Sequence, residues 1–174
     1  MISSIASRRL CALTTPELFV LCSMRLMTQA ARARREPDKA CREGFEIARL
    51  THAHAQHLAS ALRAIDAAAS RTLDVRGPSC AEVGQDEELV LQVLLLLQHE
   101  SEFGARRVLW KMLPPAAARI VLSHLDHLAL GMVRAGLLLP HSPYGLRPCP
   151  AEALAARQLG VTPTQEASDP FWLN

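Results

Sequence analysis

Histidines are the residues of this chain whose type and spacing best suit chemistry. His54 and His57 lie three residues apart in one predicted helix, and His124 and His127 lie three residues apart in another. Side chains at this spacing share a helix face, and two imidazoles on one face can bind the same metal ion. A bundle could bring the two pairs together. A histidine-lined bundle that binds a metal or haem is therefore one hypothesis for function.

The residues that usually accompany such histidines are missing from the sequence. Diiron carboxylate bundles use a Glu-x-x-His motif on each of two helices and two further glutamates. The chain contains neither Glu-x-x-His nor His-Glu-x-x-His. The ordinary alternative is that the four histidines lie at the edge of a core or on the surface. We therefore predict no metal ion and no other cofactor.

Motifs of other enzyme classes do not occur either. The sequence has no Gly-x-Ser-x-Gly elbow for a nucleophile, no Gly-x-Gly-x-x-Gly and no Gly-Lys-Ser/Thr phosphate loop. Its five cysteines are scattered and form no Cys-x-x-Cys pair, so a thiolate zinc site is not indicated. We predict a protein that is not an enzyme and that works in the reducing cytoplasm.

The segments that would position the histidines have helical periodicity. Apolar residues recur at steps of three and four over 38–71, 84–113 and 115–139, and Gly77-Pro78 and Pro114-Pro115 separate these segments. Aromatic residues make up only 4% of the chain, which favours close packing of Leu- and Ala-rich helices. We predict an all-α fold, a three-helix up-down-up bundle over 37–139, with the Ala-rich first helix against the Leu-rich second.

The two ends differ from the predicted bundle in composition. Residues 1–36 contain six arginines and two glutamates, a net charge of +4, and we expect a poorly ordered basic leader. Met24 and Met27 are alternatives to Met1 as the first residue of the natural protein. Residues 140–174 are predicted to form a Pro-rich connection, a short fourth helix near 151–159 and a flexible tail that ends in Phe-Trp-Leu.

A leucine-rich stretch, residues 89–97, provides the leading hypothesis for function. Its side chains point in all directions around a helix, so something must cover the outward ones. It is too short to span a membrane. We predict a non-enzymatic adaptor, chaperone-like or regulatory protein that binds another protein or its own copy. The predicted contact residues are Leu89, Val93, Leu95, Leu96, Phe171 and Trp172.

A third hypothesis is a DNA-binding regulator of the winged-helix kind that uses residues 109–139. This segment reads as a helix, a sharp Pro-Pro turn and a second helix that ends at Gly136. The second helix carries Arg119 as its main cation, ahead of Asp126, and the whole chain has a net charge of only +2. A nucleic-acid partner is therefore less favoured than a protein partner.

Overall fold

The fold is built from α-helices joined by short loops. The computed structural model describes residues 8–36 and 39–140. Within these ranges it contains α1 (Thr15–Arg32), α2 (Lys39–Ile47), α3 (His52–Ala68), α4 (Gln85–Gln98), α5 (Glu102–Leu109) and α6 (Pro115–Arg134). A short 3₁₀ turn precedes α1, and the described ranges contain no strand. The predicted all-α fold is confirmed, but the bundle segment contains five helices, α2 to α6, where the sequence indicated three.

The extra helices arise from two interruptions. Arg49 (φ 58°) separates α2 from α3, and Glu100 (φ 56°) separates α4 from α5. A residue with left-handed backbone angles cannot continue a right-handed helix. At each break an amide bonds back five residues, Leu50 to Phe45 and Ser101 to Leu96, which closes the helix end. The continuous helices predicted over 38–71 and 84–113 are therefore wrong.

α3 and α6 share the largest interface of the fold. The small residues Ala61 on α3 and Ala118 and Ala129 on α6 are fully buried, and Leu58 and Leu125 pack in the same core. Small side chains let two helices approach closely. The Ala-rich helix thus packs as predicted through its small residues, but its main neighbour is α6 and not the Leu-rich helix.

α6 ends at a glycine, as the sequence indicated. Gly136 has a φ of 76°, a value that favours glycine, and Leu137 N donates to the carbonyl oxygen of Met132 at 2.8 Å. The helix ends at Arg134, five residues before the predicted end at 139.

The predicted basic leader contains a packed helix. Val20, Leu21 and Met24 of α1 are buried, and the amide and hydroxyl of Thr14 both donate to the carboxylate of Glu17 at 2.8 Å, which fixes the start of α1. The expectation of poor order is therefore wrong for residues 8–36. These residues belong to the same core as the bundle. The predicted fourth helix and tail lie outside the described residues.

One leader arginine is held deep inside the fold. Arg25 is 1% exposed and donates through Nε and Nη2 to the two carboxylate oxygens of Glu87, each at 2.8 Å. Its other three N–H groups reach the carbonyl oxygens of Gly77, Cys80 and Glu82. All five donors of the guanidinium are thus satisfied, as burial of a charge requires. The arginine fixes the loop between α3 and α4.

The two acids beside Glu87 bind arginines as well. Asp86 accepts two hydrogen bonds from Arg71, at 2.7 and 2.8 Å, and Glu88 accepts one from Arg8 at 2.9 Å. Three consecutive acids in the first turn of α4 therefore bind arginines from three separate parts of the chain. The positive end of the α4 dipole further favours carboxylates at this position.

Candidate functional site

Three of the four predicted histidines meet between α3 and α6. Nδ1 of His57 lies 3.1 Å from Nδ1 of His124, a hydrogen-bond distance. The ring of His127 stacks on His57, with ring centroids 4.5 Å apart and an interplanar angle of 22°. His57 and His124 are half-buried and His127 is exposed. We call these three residues the histidine cluster.

The surroundings of His57 favour its neutral imidazole. The pKa of His57 is lowered from its ordinary value of 6.5, first because partial burial disfavours the charged ring and then because His127, His124 and His54 would repel it. If the contact between His57 and His124 is a hydrogen bond, one Nδ1 carries a proton and the other accepts it.

His54 has a structural position instead. Its Nδ1 accepts a hydrogen bond from the backbone amide of Thr51 at 3.0 Å, which caps the start of α3. The ring rests on Gly131 of α6, where any Cβ would overlap it. His54 is therefore engaged in joining two helices, and the histidine cluster keeps only three of the four candidate ligands.

A closed metal site is not present in the described part of the chain. No group of three or more His, Cys, Asp or Glu side chains there is arranged to hold a metal ion. The histidine cluster offers at most two nitrogens that already point at each other, those of His57 and His124.

The leucine-rich stretch is covered mainly by the chain itself. Val93 is completely buried, so its prediction as a contact residue is wrong. Leu89, Leu95 and Leu96 are partly buried and pack against the core. α5, α6 and α1 all pack on α4. These helices cover leucines that we had expected a partner protein to cover. The predicted contacts Phe171 and Trp172 lie outside the described residues.

The sequence reasoning missed an exposed aromatic face on α5. Phe103 is 68% exposed and Trp110, at the C-terminal end of the helix, is 47% exposed. Arg107 lies between them on the same side, since residues at i, i+4 and i+7 share a helix face. The helix break at Glu100 concealed this face. We call Phe103, Arg107 and Trp110 the α5 face.

A small cavity lies along the first two-thirds of α4. Its volume is about 100 Å³, and its walls include Arg8, Glu88, Leu91, Leu95 and Leu139. Ligand pockets usually enclose roughly 300–1,000 Å³. Oε2 of Glu88 is buried without a hydrogen-bond partner, whereas Oε1 binds Arg8. The space suits a few water molecules that would hydrate this oxygen.

The segment suggested for DNA binding forms the end of α5, the Pro-Pro turn and α6. Arg119 and Asp126 are both on the exposed side of α6. The opposite side of the helix lies in the core, where Val121, Leu125 and Leu128 are fully buried.

Comparisons with known protein families, curated proteins and solved structures find no significant match to this chain. Among the described residues, α6 is the one helix long and apolar enough to cross a membrane by length and composition, with a mean hydropathy of 1.2. Of the stretch of α6 that meets this criterion, 44% is buried within the fold. Core helices of soluble proteins meet the same criterion.

Proposed function

We propose that this chain is a non-enzymatic interaction protein that binds a protein partner through the α5 face. The observation that carries the proposal is the exposure of Phe103 and Trp110 on one side of a short helix. The two residues are about 10 Å apart along the helix axis. This spacing suits two neighbouring pockets on a partner.

The residue types of the α5 face match those that dominate protein interfaces. Trp and Arg are enriched among residues that contribute most of the binding energy, and aromatic side chains bury 150–250 Å² each when covered. Phe103 and Trp110 are two of only seven aromatic residues in the chain. Exposing two of these side chains to water is unfavourable in free energy, and a partner that covers them would remove this cost.

The other side of α5 supports this use because it is firmly packed. Ala105, Val108 and Leu109 are buried, and α4 and α5 share the second largest interface of the fold. A rigid helix loses little conformational freedom on binding, which favours affinity. The Leu-rich α4 therefore supports the contact surface from behind.

The charge near the α5 face favours an acidic partner. Arg107 and Lys111 are exposed, and Arg106 pairs with Glu102 of the same helix. A positive surface steers an oppositely charged protein toward it and disfavours basic proteins. A complementary surface would combine apolar pockets with Asp or Glu at the rim.

The test is affinity capture with the full chain, followed by titration of the purified captured protein. Phe103→Ala and Trp110→Ala should each weaken that binding at least about tenfold, or 1.4 kcal/mol. Ile47→Ala is the matched control, because Ile47 is an exposed apolar residue on α2. Equal binding by the wild type and the Phe103/Trp110 double variant would reject the α5 face.

Self-association is measured separately, by light scattering of the purified chain over a wide concentration range. A dimer that the Trp110→Ala substitution dissociates would identify a second copy as the partner. A concentration-independent monomer would leave a different protein as the partner.

A further inference from the structure

The approach of His57 to His124 matches the spacing of two ligands around one metal ion. Their Nδ1 atoms are 3.1 Å apart. Two imidazole nitrogens bound to tetrahedral Zn²⁺ at 2.0–2.1 Å lie about 3.3 Å apart. The ring centroids are 5.4 Å apart, so the two rings face each other nearly head-on. An ion therefore requires both rings to swing until their Nδ1 lone pairs converge on it, in addition to an opening of roughly 0.2 Å.

We propose that His57 and His124 form an open metal site between α3 and α6, which binds a divalent transition-metal ion such as Zn²⁺, Cu²⁺ or Ni²⁺ through their two Nδ1 atoms. Imidazole suits these ions, whereas Ca²⁺ and Mg²⁺ require oxygen ligands. The histidine cluster supplies two nitrogens directly, and water completes the coordination. The site is independent of the α5 face.

His127 is the residue that would extend this site. It lies three residues after His124 on α6, and its exposed ring stacks on His57. Because an exposed side chain changes rotamer easily, His127 can turn from the stacked position toward the ion and become a third ligand. His54 stays outside the site, since its Nδ1 caps α3.

The protons balance without a net release when both rings are neutral. In the metal-free pair, one Nδ1 carries its ring's proton and donates to the other Nδ1. When the ion binds, that proton moves through solvent to Nε2 of the same ring, so that both rings carry a proton on Nε2. The ion then takes the place of the hydrogen bond. A ring that is protonated beforehand releases one proton, so binding weakens in acid.

The test uses the full chain, stripped of metal with a chelator that is then removed, and ZnCl₂ as the probe at pH 7.5. Calorimetric titration should give one ion per chain, and Zn²⁺ should raise the melting temperature, since a ligand of the folded state stabilises it. His57→Gln and His124→Gln should each weaken binding at least tenfold. His52→Gln is the matched control, because His52 is an exposed histidine of α3 outside the histidine cluster.

Two further measurements make the outcome decisive. Circular dichroism in chelator must show that each variant is folded, and Cu²⁺ added to the wild type should show nitrogen hyperfine splitting from two or three imidazoles by electron paramagnetic resonance. Unchanged Zn²⁺ affinity in folded His57→Gln would overturn the site and assign the binding to thiols or other surface histidines. Weaker binding by His127→Gln would support the third ligand, and unchanged affinity would overturn that part.

Discussion

Arg25 and Glu87 form a two-point ion pair inside the fold, 62 residues apart in the chain and almost completely shielded from water. The pair joins α1 to the first turn of α4. Glu87 also accepts hydrogen bonds from the backbone amides of Gly84 and Arg76, at 2.7 and 3.0 Å. Each side chain therefore has its hydrogen bonds complete and its buried charge compensated only when the other is present.

Removal of one partner should destabilise the protein strongly. Arg25→Met leaves the Glu87 carboxylate buried without its counter-charge, and we expect a loss of about 3–5 kcal/mol in the free energy of unfolding. Urea unfolding followed by circular dichroism measures this loss. Lys39→Ala is the control, since Lys39 forms an exposed ion pair with Glu43 and should change stability by less than about 1 kcal/mol. Similar losses in both variants would contradict the assigned role of Arg25.

Truncation should expose the contribution of α1. A chain that begins at Met27 lacks Arg25 and the buried residues Val20, Leu21 and Met24. We expect it to lose cooperative thermal unfolding, because it loses apolar contacts and leaves Glu87 unpaired. Thermal melts of the full and truncated chains test this. Melting temperatures within one or two degrees of each other would show that α1 is dispensable.

Gly84 should not tolerate a side chain. A Cβ at this position would overlap the backbone carbonyl oxygen of Asp74, so Gly84→Ala must displace the loop that precedes α4. We expect a loss of about 1–3 kcal/mol in unfolding free energy. Gly44→Ala is the matched control, because nothing lies within 4 Å of its Cβ position in α2. That change should stabilise the helix by up to about 1 kcal/mol. Equal effects would contradict the prediction.

Acid should destabilise the metal-free protein through His57. The folded state lowers the pKa of His57, so the unfolded chain binds a proton more readily. The contribution of His57 to stability is therefore full above pH 6.5 and is lost as the pH falls through the lower pKa of the folded state. Melting temperatures between pH 5 and 8, measured with chelator present, test this. His57→Gln should flatten the profile, and a wild-type profile already flat in this range would count against the prediction.

The sequence predicted those features that follow from local periodicity. The all-helical fold depends on apolar residues three or four positions apart, and the end of α6 depends on one glycine. The meeting of His57, His124 and His127 depends instead on the packing of α3 against α6, and His54 lies outside that cluster. The helix breaks at Arg49 and Glu100 could not be predicted, because residues that end a helix with a positive φ are usually Gly or Asn. Arg and Glu there have no distinctive sequence signal.

The role of α1 was missed for a different reason. Its arginines raised the net charge of the first 36 residues and suggested a leader, although α1 has a buried apolar face. Arg8 pairs with Glu17 in the same segment, but its second partner, Glu88, and the partner of Arg25, Glu87, lie 80 and 62 residues later in the chain. Composition within one segment cannot reveal such distant pairs. The α5 face stayed hidden because residues 84–113 were treated as one continuous helix.

The three acids at the start of α4 bear on the order in which a growing chain can acquire its structure. Arg25 and Arg71 are synthesised before Glu87 and Asp86, so both arginines lack their carboxylates until that turn has left the ribosome exit tunnel. Contacts between residues far apart in sequence slow folding, because the intervening loop must close first. Once this turn emerges, α1 and the loop before α4 can both bind to it in the same step.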